Sequence, residues 1–341
     1  MNTDLHNLIN LLNTHNMLAQ KMLQAGGALY PLIIPAHLIK GTGLCNPSIF
    51  VDGGKVIGNI RNVHYDLYHC EFGQKFKSPF GPLVYMHPED DRTLRTDNYY
   101  VEYNEDYSFK RYNKIDTSIL DIPPVWEFIG LEDGRLVRWD GKLYLCGVRR
   151  DTKPNGEGRM ELSELLVGTD YVKEVNRYRI QPPNNVPSYC EKNWMPILDM
   201  PWHFVKWTNP TEIVKVDINT LSSQTVFMGS QKFNLPRDIR GGSNVITIGD
   251  KRIAITHEVD LWWNENNAKD SQYYHRFVVW DKDWNIIKFT PTFKFMDAYI
   301  EFCTGMEVVG DDILIVFGFQ DSSAHLLKAP AEAIVKYIFS T

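Results

Sequence analysis

The sequence has little cysteine, no long hydrophobic run and no signal-like N-terminus. Its five cysteines lie far apart, which argues against a disulfide framework and against a cysteine-based zinc site. They are Cys45, Cys70, Cys146, Cys190 and Cys303. The longest uninterrupted apolar run, Ile313–Phe319, is too short to cross a bilayer, and the N-terminus lacks a basic region followed by an apolar one. We therefore expect a reduced, cytoplasmic protein without a membrane span.

The chain also lacks an excess of positive charge. Its 341 residues carry 36 Lys and Arg against 42 Asp and Glu, a net charge of −6, so binding to nucleic acid through phosphate contacts is not expected. The motifs Gly-x-Ser-x-Gly and His-Glu-x-x-His are missing, as is the phosphate-binding loop of nucleotide hydrolases. These absences argue against a serine hydrolase, a zinc hydrolase and a P-loop enzyme, and we predict no metal site.

What the chain does have is a repeat. Five segments share one plan: a polar motif, a strand, a turn rich in Gly and Asp, a second strand, and a polar residue at or near its end. Asp-Gly between apolar runs is a strong hairpin signal, and aromatics at 13% favour β-structure. Five such hairpins predict an all-β fold, a five-bladed β-propeller. The turns lie at 52–55, 140–142, near Asp199, at 249–251 and at 310–312.

The N-terminal residues stand apart from this repeat. We predict a helical extension over 1–27, since apolar residues recur at roughly helical spacing and Gly26-Gly27 ends the pattern. The propeller then occupies 28–341. The acidic, tyrosine-rich stretch 89–112 is either a long hairpin or an insertion. The apolar residues of the predicted helix are Leu5, Leu8, Ile9, Leu12 and Leu23.

Propeller geometry would bring polar residues from all five repeats to one end of a central channel. If each first strand is the innermost of its blade, the turns lie at one end and the polar residues at the other. The alternative for each position alone is a solvated loop residue. The residues expected on this rim are Asn46, Arg61, Asp133, Arg149, Lys192, Lys206, Arg240, His257, Glu301 and Asp321.

Three groups on this rim suggest chemistry. In the segment 132–135, two carboxylates adjoin Arg135. Burial would raise the pKa of Asp133, as a general acid requires, while a neighbouring arginine would lower it. The alternative is that Asp133 simply pairs with Arg135. Four basic residues facing one cavity call for an anion such as phosphate or a nucleotide diphosphate, with Gly241-Gly242 allowing close approach. They are Lys192, Lys206, Arg240 and His257.

Aromatic residues in or next to the third and fourth repeats form the remaining group. Flat apolar faces beside carboxylates and amides suit a sugar ring, whereas the alternative for each ring is ordinary packing between blades. The residues are Trp194, Trp202, Trp207, Trp262, Trp263, Tyr273 and Tyr274.

These motifs, in this order, resemble glycoside hydrolase family 130. The resemblance runs from Asn46 to Ala329 and rests on Asn-Pro-x-Ile, Glu-Asp-x-Arg, Lys-Asn-x-x-Pro, Gly-Gly-x-x-x-Ile with His-Glu, and Gly-Phe-Gln-Asp. Members of that family are five-bladed propellers that cleave β-mannosides, mostly by phosphorolysis. The related glycosyltransferase family 108 builds β-1,2-mannan on the same scaffold.

The resemblance also implies residue roles. Asp133 would be the proton donor, acting through a sugar hydroxyl, and the four basic residues would form the phosphate pocket. Asn46, Arg61 and Asp321 would hold the sugar next to the cleaved bond. The sequence departs from the family at Gly134, where Pro is usual and where glycine would loosen the backbone. We also assign sugar contacts to residues that adjoin these motifs, namely Glu132, Arg135, Asn193 and Trp194.

The sequence thus predicts an inverting glycoside phosphorylase or a glycosyltransferase acting on mannoside-like substrates. Inorganic phosphate or a nucleotide sugar would be its co-substrate, and an oligosaccharide its partner. One alternative is a hydrolase of the same fold, with Glu301 or Glu258 as the second carboxylate. Another is a non-catalytic sugar-binding propeller. Sugar, linkage, acceptor and oligomeric state stay open.

Overall fold

The computed structural model describes residues 16–40, 43–67, 84–86, 94–185, 188–231, 233–265 and 269–340. Within these ranges the strands form five mainly antiparallel blades, each with an inner strand and three further strands outside it. The first strands of neighbouring sheets lie side by side. This arrangement is a five-bladed β-propeller, so the predicted fold class is confirmed. No helix of the described residues is long and apolar enough to cross a membrane.

Blades one and two are joined at their outer strands, where β7 and β12 run parallel. Blade one consists of β2 (Gly43–Asp52), β3 (Lys55–Val63), β6 (Leu94–Tyr103) and β7 (Phe109–Asp116). Blade two consists of β9 (Leu131–Trp139), β10 (Lys142–Arg149), β11 (Arg159–Val167) and β12 (Val172–Arg179). Short strands flank them: β4 (Tyr65–Leu67), β5 (Val84–Met86) and β8 (Phe128–Ile129).

Blades three and four follow the same order, except that the inner strand of blade four is split in two. Blade three consists of β13 (Met195–Pro196), β14 (His203–Thr208), β15 (Thr211–Asp217) and β16 (Ser222–Met228). Blade four consists of β17 (Arg240–Gly241), β18 (Ile246–Ile248), β19 (Lys251–Trp263), β20 (Lys269–Trp280) and β21 (Ile286–Phe289). Short 3₁₀ turns lie at Ala36–Leu38 and Pro183–Asn185.

Blade five closes the ring, because it takes one strand from the other end of the chain. Its strands are β22 (Glu301–Val309), β23 (Asp312–Phe319), β24 (Ser323–Pro330) and β1 (Ala28–Leu32). β1 pairs antiparallel with β24, from Ala28 opposite Lys328 to Leu32 opposite Ala324. The first described strand therefore fixes the last blade, which holds the circle shut.

Two helices pack on blade five. They are α1 (Leu18–Gln24) and α2 (Ala331–Ser340). α1 buries Leu18, Ala19 and Met22 in the core of that blade, and it ends at Gly26, whose φ of +93° only glycine adopts freely. Leu23, by contrast, is 45% exposed. Leu5, Leu8, Ile9 and Leu12 lie outside the described residues.

The five predicted hairpins are the inner hairpins of the five blades. Turn chemistry explains them: Asp140 and Gly141 both have positive φ, 49° and 77°, as a two-residue hairpin turn requires. The stretch 89–112 is not an insertion, since its described part supplies the outer strands β6 and β7.

Away from the turns, the inner hairpins of blades one, two and five contain a bulge, and blade three has one between β14 and β15. The register shifts between Cys45 and Ser48 in β2, and between Val205 and Trp207 in β14. Blades two and five show the same shift in β10 and β22. A bulge bends the strand and re-aims a side chain. Asn46 and Lys206, both predicted site residues, lie inside these bulges.

Candidate active site

Four predicted site residues have a left-handed backbone, and one of them, Asp321, follows the second strand of blade five with φ of 50°. Asn46, Asp133 and Asn193 lie in or just before the first strand of blades one to three, with φ of 42°, 54° and 60°. Asn and Asp tolerate this region better than other non-glycine residues. Glycines of adjoining blades leave room for these residues. A Cβ on Gly318 would lie 2.3 Å from Asn46 Oδ1. A Cβ on Gly241 would lie 1.9 Å from the Asn193 carbonyl oxygen. Gly241 thus serves blade packing rather than approach to a ligand.

Asp133 is a buried carboxylate held by two residues of blade one. Its Oδ1 accepts hydrogen bonds from Asn46 Nδ2 at 2.8 Å and from Arg61 Nη1 at 3.1 Å. Burial by itself would raise the pKa of Asp133, but the charges of Arg61 and Lys192 outweigh it. The pKa of Asp133 therefore lies below its usual value, and the carboxyl is ionised at neutral pH. The sequence predicts two opposing influences on this pKa, burial and a neighbouring positive charge, and the positive charge prevails.

The neighbouring carboxyl behaves differently. Glu132 Oε2 lies 3.6 Å from Arg61 Nη2 and is partly open to solvent. Burial raises the pKa of Glu132, the charge of Arg61 lowers it, the charge of Asp133 raises it again, and the net result is a raised pKa. Two adjacent carboxyls with pKa values pushed apart are typical of sites that handle protons.

Arg61 is fixed from three sides. Besides Asp133, its Nε donates to Thr96 Oγ1 at 2.8 Å and its Nη2 donates to the Tyr65 hydroxyl at 3.2 Å. Burial raises the pKa of Tyr65, so this hydroxyl stays neutral beside the guanidinium. The sequence analysis missed Tyr65 and Thr96, since they fall outside the hairpin pattern, which ends at Arg61.

His257 is a neutral imidazole in this site. Arg240 and His257 are opposite each other in β17 and β19, and His257 Nδ1 lies 2.9 Å from the Gly241 carbonyl oxygen. Only a protonated Nδ1 can donate to that oxygen, so the neutral ring carries its lone pair on Nε2. Burial holds the pKa of His257 well below its usual value, and the charges of Arg240 and Lys192 lower it further.

The two predicted lysines differ in their surroundings. Lys192 is exposed, and its charge acts on both Asp133 and His257, which places it between blades two and four. Lys206 Nζ instead lies 3.4 Å from Glu212 Oε2 and 4.0 Å from Glu191 Oε2. The charge of Lys206 is thus balanced within blade three.

Tyr273 and Asp321 complete the cluster. The ring of Tyr273 stacks on His257, with centroids 5.7 Å apart and an interplanar angle of 8°. Burial raises the pKa of Tyr273, and the charges of Asp321 and Asp133 raise it further. Side chains from all five blades therefore act on one another in a single bowl, which we call the rim site. It comprises Asn46, Arg61, Tyr65, Glu132, Asp133, Lys192, Arg240, His257, Tyr273 and Asp321.

Two predicted sugar contacts lie outside the rim site. Arg135 is 1% exposed, and its guanidinium donates to the carbonyl oxygens of Gly242 at 2.8 Å and of Asp133 at 2.7 Å, so it joins blades instead of lining the bowl. Trp194 is equally buried and packs on Phe204. Both predictions of sugar contact are wrong, because these side chains are committed to the protein interior.

Trp202 is half-buried and packs on Trp139 of blade two with centroids 4.9 Å apart. The alternative of ordinary packing between blades is correct for Trp194 and Trp202. Trp207, Trp262 and Trp263 are exposed.

Three charged residues that the sequence analysis singled out are used elsewhere. Glu301 accepts hydrogen bonds from the backbone N–H groups of residues 295, 296 and 298. Glu258 is fully buried and pairs with Arg276 and Arg237. Arg149 pairs with Glu161, Asp151 and Glu174. Neither glutamate is free to activate a water molecule.

Gly134 has a structural reason of its own. A Cβ at this position would lie 2.6 Å from Leu145 Cδ1 in the neighbouring strand. Glycine therefore allows β9 and β10 to pack closely, and the expectation of a loosened backbone is wrong. Among the described residues, no group of three or more His, Cys, Asp or Glu is placed to hold a metal ion.

No protein-family model matches the chain, and no curated protein matches it in sequence. Its structure is similar to several solved propellers. A β-1,2-mannobiose phosphorylase from Listeria innocua has a TM-score of 0.55 and 10% identity, over 91% of this chain and 96% of that one. A mannose phosphorylase from Leishmania mexicana, solved with phosphate, has a TM-score of 0.51 and 13% identity, over 93% of each chain.

A glycosyl hydrolase from Bacteroides ovatus has a TM-score of 0.53 and 12% identity, over 85% of each chain. These likenesses show that the chain shares the fold of carbohydrate-active propellers. They agree with the resemblance that the sequence motifs indicate.

Proposed function

We propose that this protein is an inverting enzyme that transfers a mannosyl unit between a glycoside and phosphate. The observation that carries the proposal is the position of Asp133, an ionised carboxylate that bonds to Arg61 and lies within reach of the charge of Lys192. A hydrolase would need a second carboxylate to activate water. The two glutamates predicted for that role, Glu301 and Glu258, are held elsewhere, and the phosphate dependence of the reaction tests whether Glu132 or Asp321 takes it instead. The phosphorylase names of the two solved structures above support the choice of reaction and of mannose.

The reaction balances without water. An oxygen of hydrogen phosphate attacks the anomeric carbon, the bond to the leaving sugar oxygen breaks, and that oxygen gains a proton. The products are a sugar with a free hydroxyl and a mannose 1-phosphate of inverted configuration. Hydrogen phosphate supplies the proton on balance, and we assign its relay to Asp133.

Phosphate binding would prepare Asp133 for this task. Lys192, whose charge helps to lower the pKa of Asp133, is also one of the cations that would hold phosphate, together with Arg240 beside His257. A bound anion would offset their field, so the pKa of Asp133 would rise towards the value that a proton donor needs. The neutral His257 can accept a hydrogen bond from the hydroxyl of hydrogen phosphate through Nε2.

The sugar beside the cleaved bond would be held from blades one and five. Asn46 and Arg61 already fix the Asp133 carboxylate, and Asp321 lies close enough for its charge to reach Tyr273. Carboxylates and guanidinium groups suit the hydroxyls of a pyranose. We also propose a cytoplasmic location, because Cys45, Cys146 and Cys303 are buried free thiols.

The test is to incubate the purified protein with β-1,2-mannobiose, with and without inorganic phosphate. We expect mannose 1-phosphate only when phosphate is present, and turnover reduced at least about a hundredfold in Asp133→Asn. The reverse reaction is assayed with sugar 1-phosphates and nucleotide sugars. Release of mannose without phosphate, or unchanged turnover in Asp133→Asn, would contradict the proposal.

A further inference from the structure

One hairpin extends beyond the rim site. β19 continues from His257 to Trp263, and its pairing with β20 is unbroken over this length, from His257 opposite His275 to Trp263 opposite Lys269. In blade two, by contrast, β10 ends at Arg149. At the usual rise of ~3.4 Å per residue, the extra length amounts to about 20 Å. We call residues 259–263 and 270–273 the aromatic ribbon.

Large apolar side chains of the aromatic ribbon are open to solvent. Trp263 is 70% exposed, Leu261 is 50% exposed and Trp262 is 37% exposed. Side chains alternate along a strand, so Leu261 and Trp263 lie on the same face as His257, and Trp262 lies on the other. Trp262 is partly covered by Tyr299, at 6.3 Å between ring centroids. Within the aromatic ribbon, Trp263 is therefore the most exposed aromatic side chain.

The face that carries Trp263 is continuous with the rim site. Tyr273 lies opposite Val259 in the ribbon and stacks on His257 in the site. A ligand leaving the bowl along Tyr273 would next meet Leu261 and then Trp263. Its end would lie well beyond the reach of a disaccharide bound at Asp133.

We propose that the aromatic ribbon binds the distal sugars of an oligosaccharide whose end is bound at Asp133. The inference rests on the proposed function and names its substrate class as oligosaccharides longer than two sugars. Indole faces stack on the C–H faces of pyranose rings without needing charge. Apart from Lys269, which the register places opposite Trp263 at the outer end, the residues of this face are uncharged, which suits a neutral glycan. They are Val259, Leu261, Trp263, Ser271 and Tyr273.

A second copy of the chain fits this surface less well. A stable protein interface buries about 800 Å² per partner. Two exposed side chains on one face of a two-stranded ribbon offer far less than that. The ribbon's charged residue Asp260 lies on the opposite face and is paired with Arg237. Asp260 therefore offers no charge that a second copy docked on the Trp263 face could pair with.

The test is titration calorimetry with β-1,2-linked mannobiose, mannotriose and mannotetraose, in buffer without phosphate. We expect affinity to increase with chain length in the unaltered protein. In Trp263→Ala, binding of mannotetraose should weaken about tenfold while binding of mannobiose is unchanged. Trp263→Phe should restore most of the loss. Ile287→Ala, which removes another exposed apolar side chain of blade four, is the matched control.

The outcomes separate this inference from the proposed function. If affinity does not increase with length, or Trp263→Ala binds mannotetraose normally, the ribbon is not a glycan site, whether or not mannobiose is phosphorolysed. If long glycans bind through Trp263 but nothing is phosphorolysed, the ribbon inference holds and the proposed reaction fails. A dimer that Trp263→Ala dissociates, with unchanged sugar affinity, would identify a second copy as the occupant and overturn the inference.

Discussion

Arg61 controls the charge state of Asp133 because it lies within hydrogen-bonding distance and is itself held by Thr96 and Tyr65. Replacing it by Met should raise the pKa of Asp133, since burial would then act with less opposition. Arg61→Lys keeps a cation and should retain most of the lowering. A carbon-detected NMR titration of the aspartate carboxyls measures the change. An unmoved Asp133 in Arg61→Met would show that another group sets its charge.

Motif residues such as Asn46 and Asp133 could be identified from the sequence, whereas the roles of their neighbours could not. The left-handed backbone at Asp133 and Asn193 breaks the strand alternation, so Arg135 and Trp194 cannot be assigned to a face from their spacing. Burial then decides their roles, and burial depends on other blades. Tyr65 belongs to no repeated pattern, and only the fold brings it to Arg61.

Among the strands, β22 carries a buried acid at the junction of the last and first blades. Glu307 Oε2 accepts a hydrogen bond from the Val51 N–H at 3.3 Å, and Oε1 accepts one from Val308 at 3.1 Å. Burial raises the pKa of Glu307 to about 7, and these N–H groups offset only part of the effect. The folded state therefore holds a proton that the unfolded chain releases near pH 4.3.

This difference gives stability a pH dependence with a definite sign. The contribution of Glu307 is present at low pH and is lost as pH rises through about 7. Glu307→Gln should thus stabilise the protein at pH 8 by about 1–3 kcal/mol relative to the unaltered chain, and this gain should shrink at pH 5. Urea unfolding at the two pH values measures it. An equal effect at both would mean that Glu307 does not titrate in this range.

The inner hairpins are the elements that the sequence predicts best, because an Asp-Gly turn is determined by residues adjacent in the sequence. The outer strands were harder, as β6 and β7 lie in an acidic stretch without clear alternation. β1 could not be predicted as part of blade five, since its partner β24 lies almost at the other end of the chain. α2 was also missed.

At the scale of the propeller, the repeat predicts that distant residues meet, but not how closely. Lys206 shows the limit: its position in the repeat matches that of His257, yet Glu212 and Glu191 lie beside it. Such pairings within a blade depend on which residues occupy its other segments, and the repeat pattern does not contain that information. Ring closure through β1 and β24 is what holds the charges of Asp133, Lys192 and Arg240 in one bowl.

The most direct test of this account is the affinity for inorganic phosphate, measured by titration calorimetry at fixed ionic strength. If Asp133 lies ionised beside the phosphate pocket, Asp133→Asn should bind phosphate more tightly, by up to about tenfold, because a repelling charge is removed. Lys192→Met should bind it more weakly by a similar factor. Phosphate affinity that neither substitution changes would contradict the claim that these residues form one site.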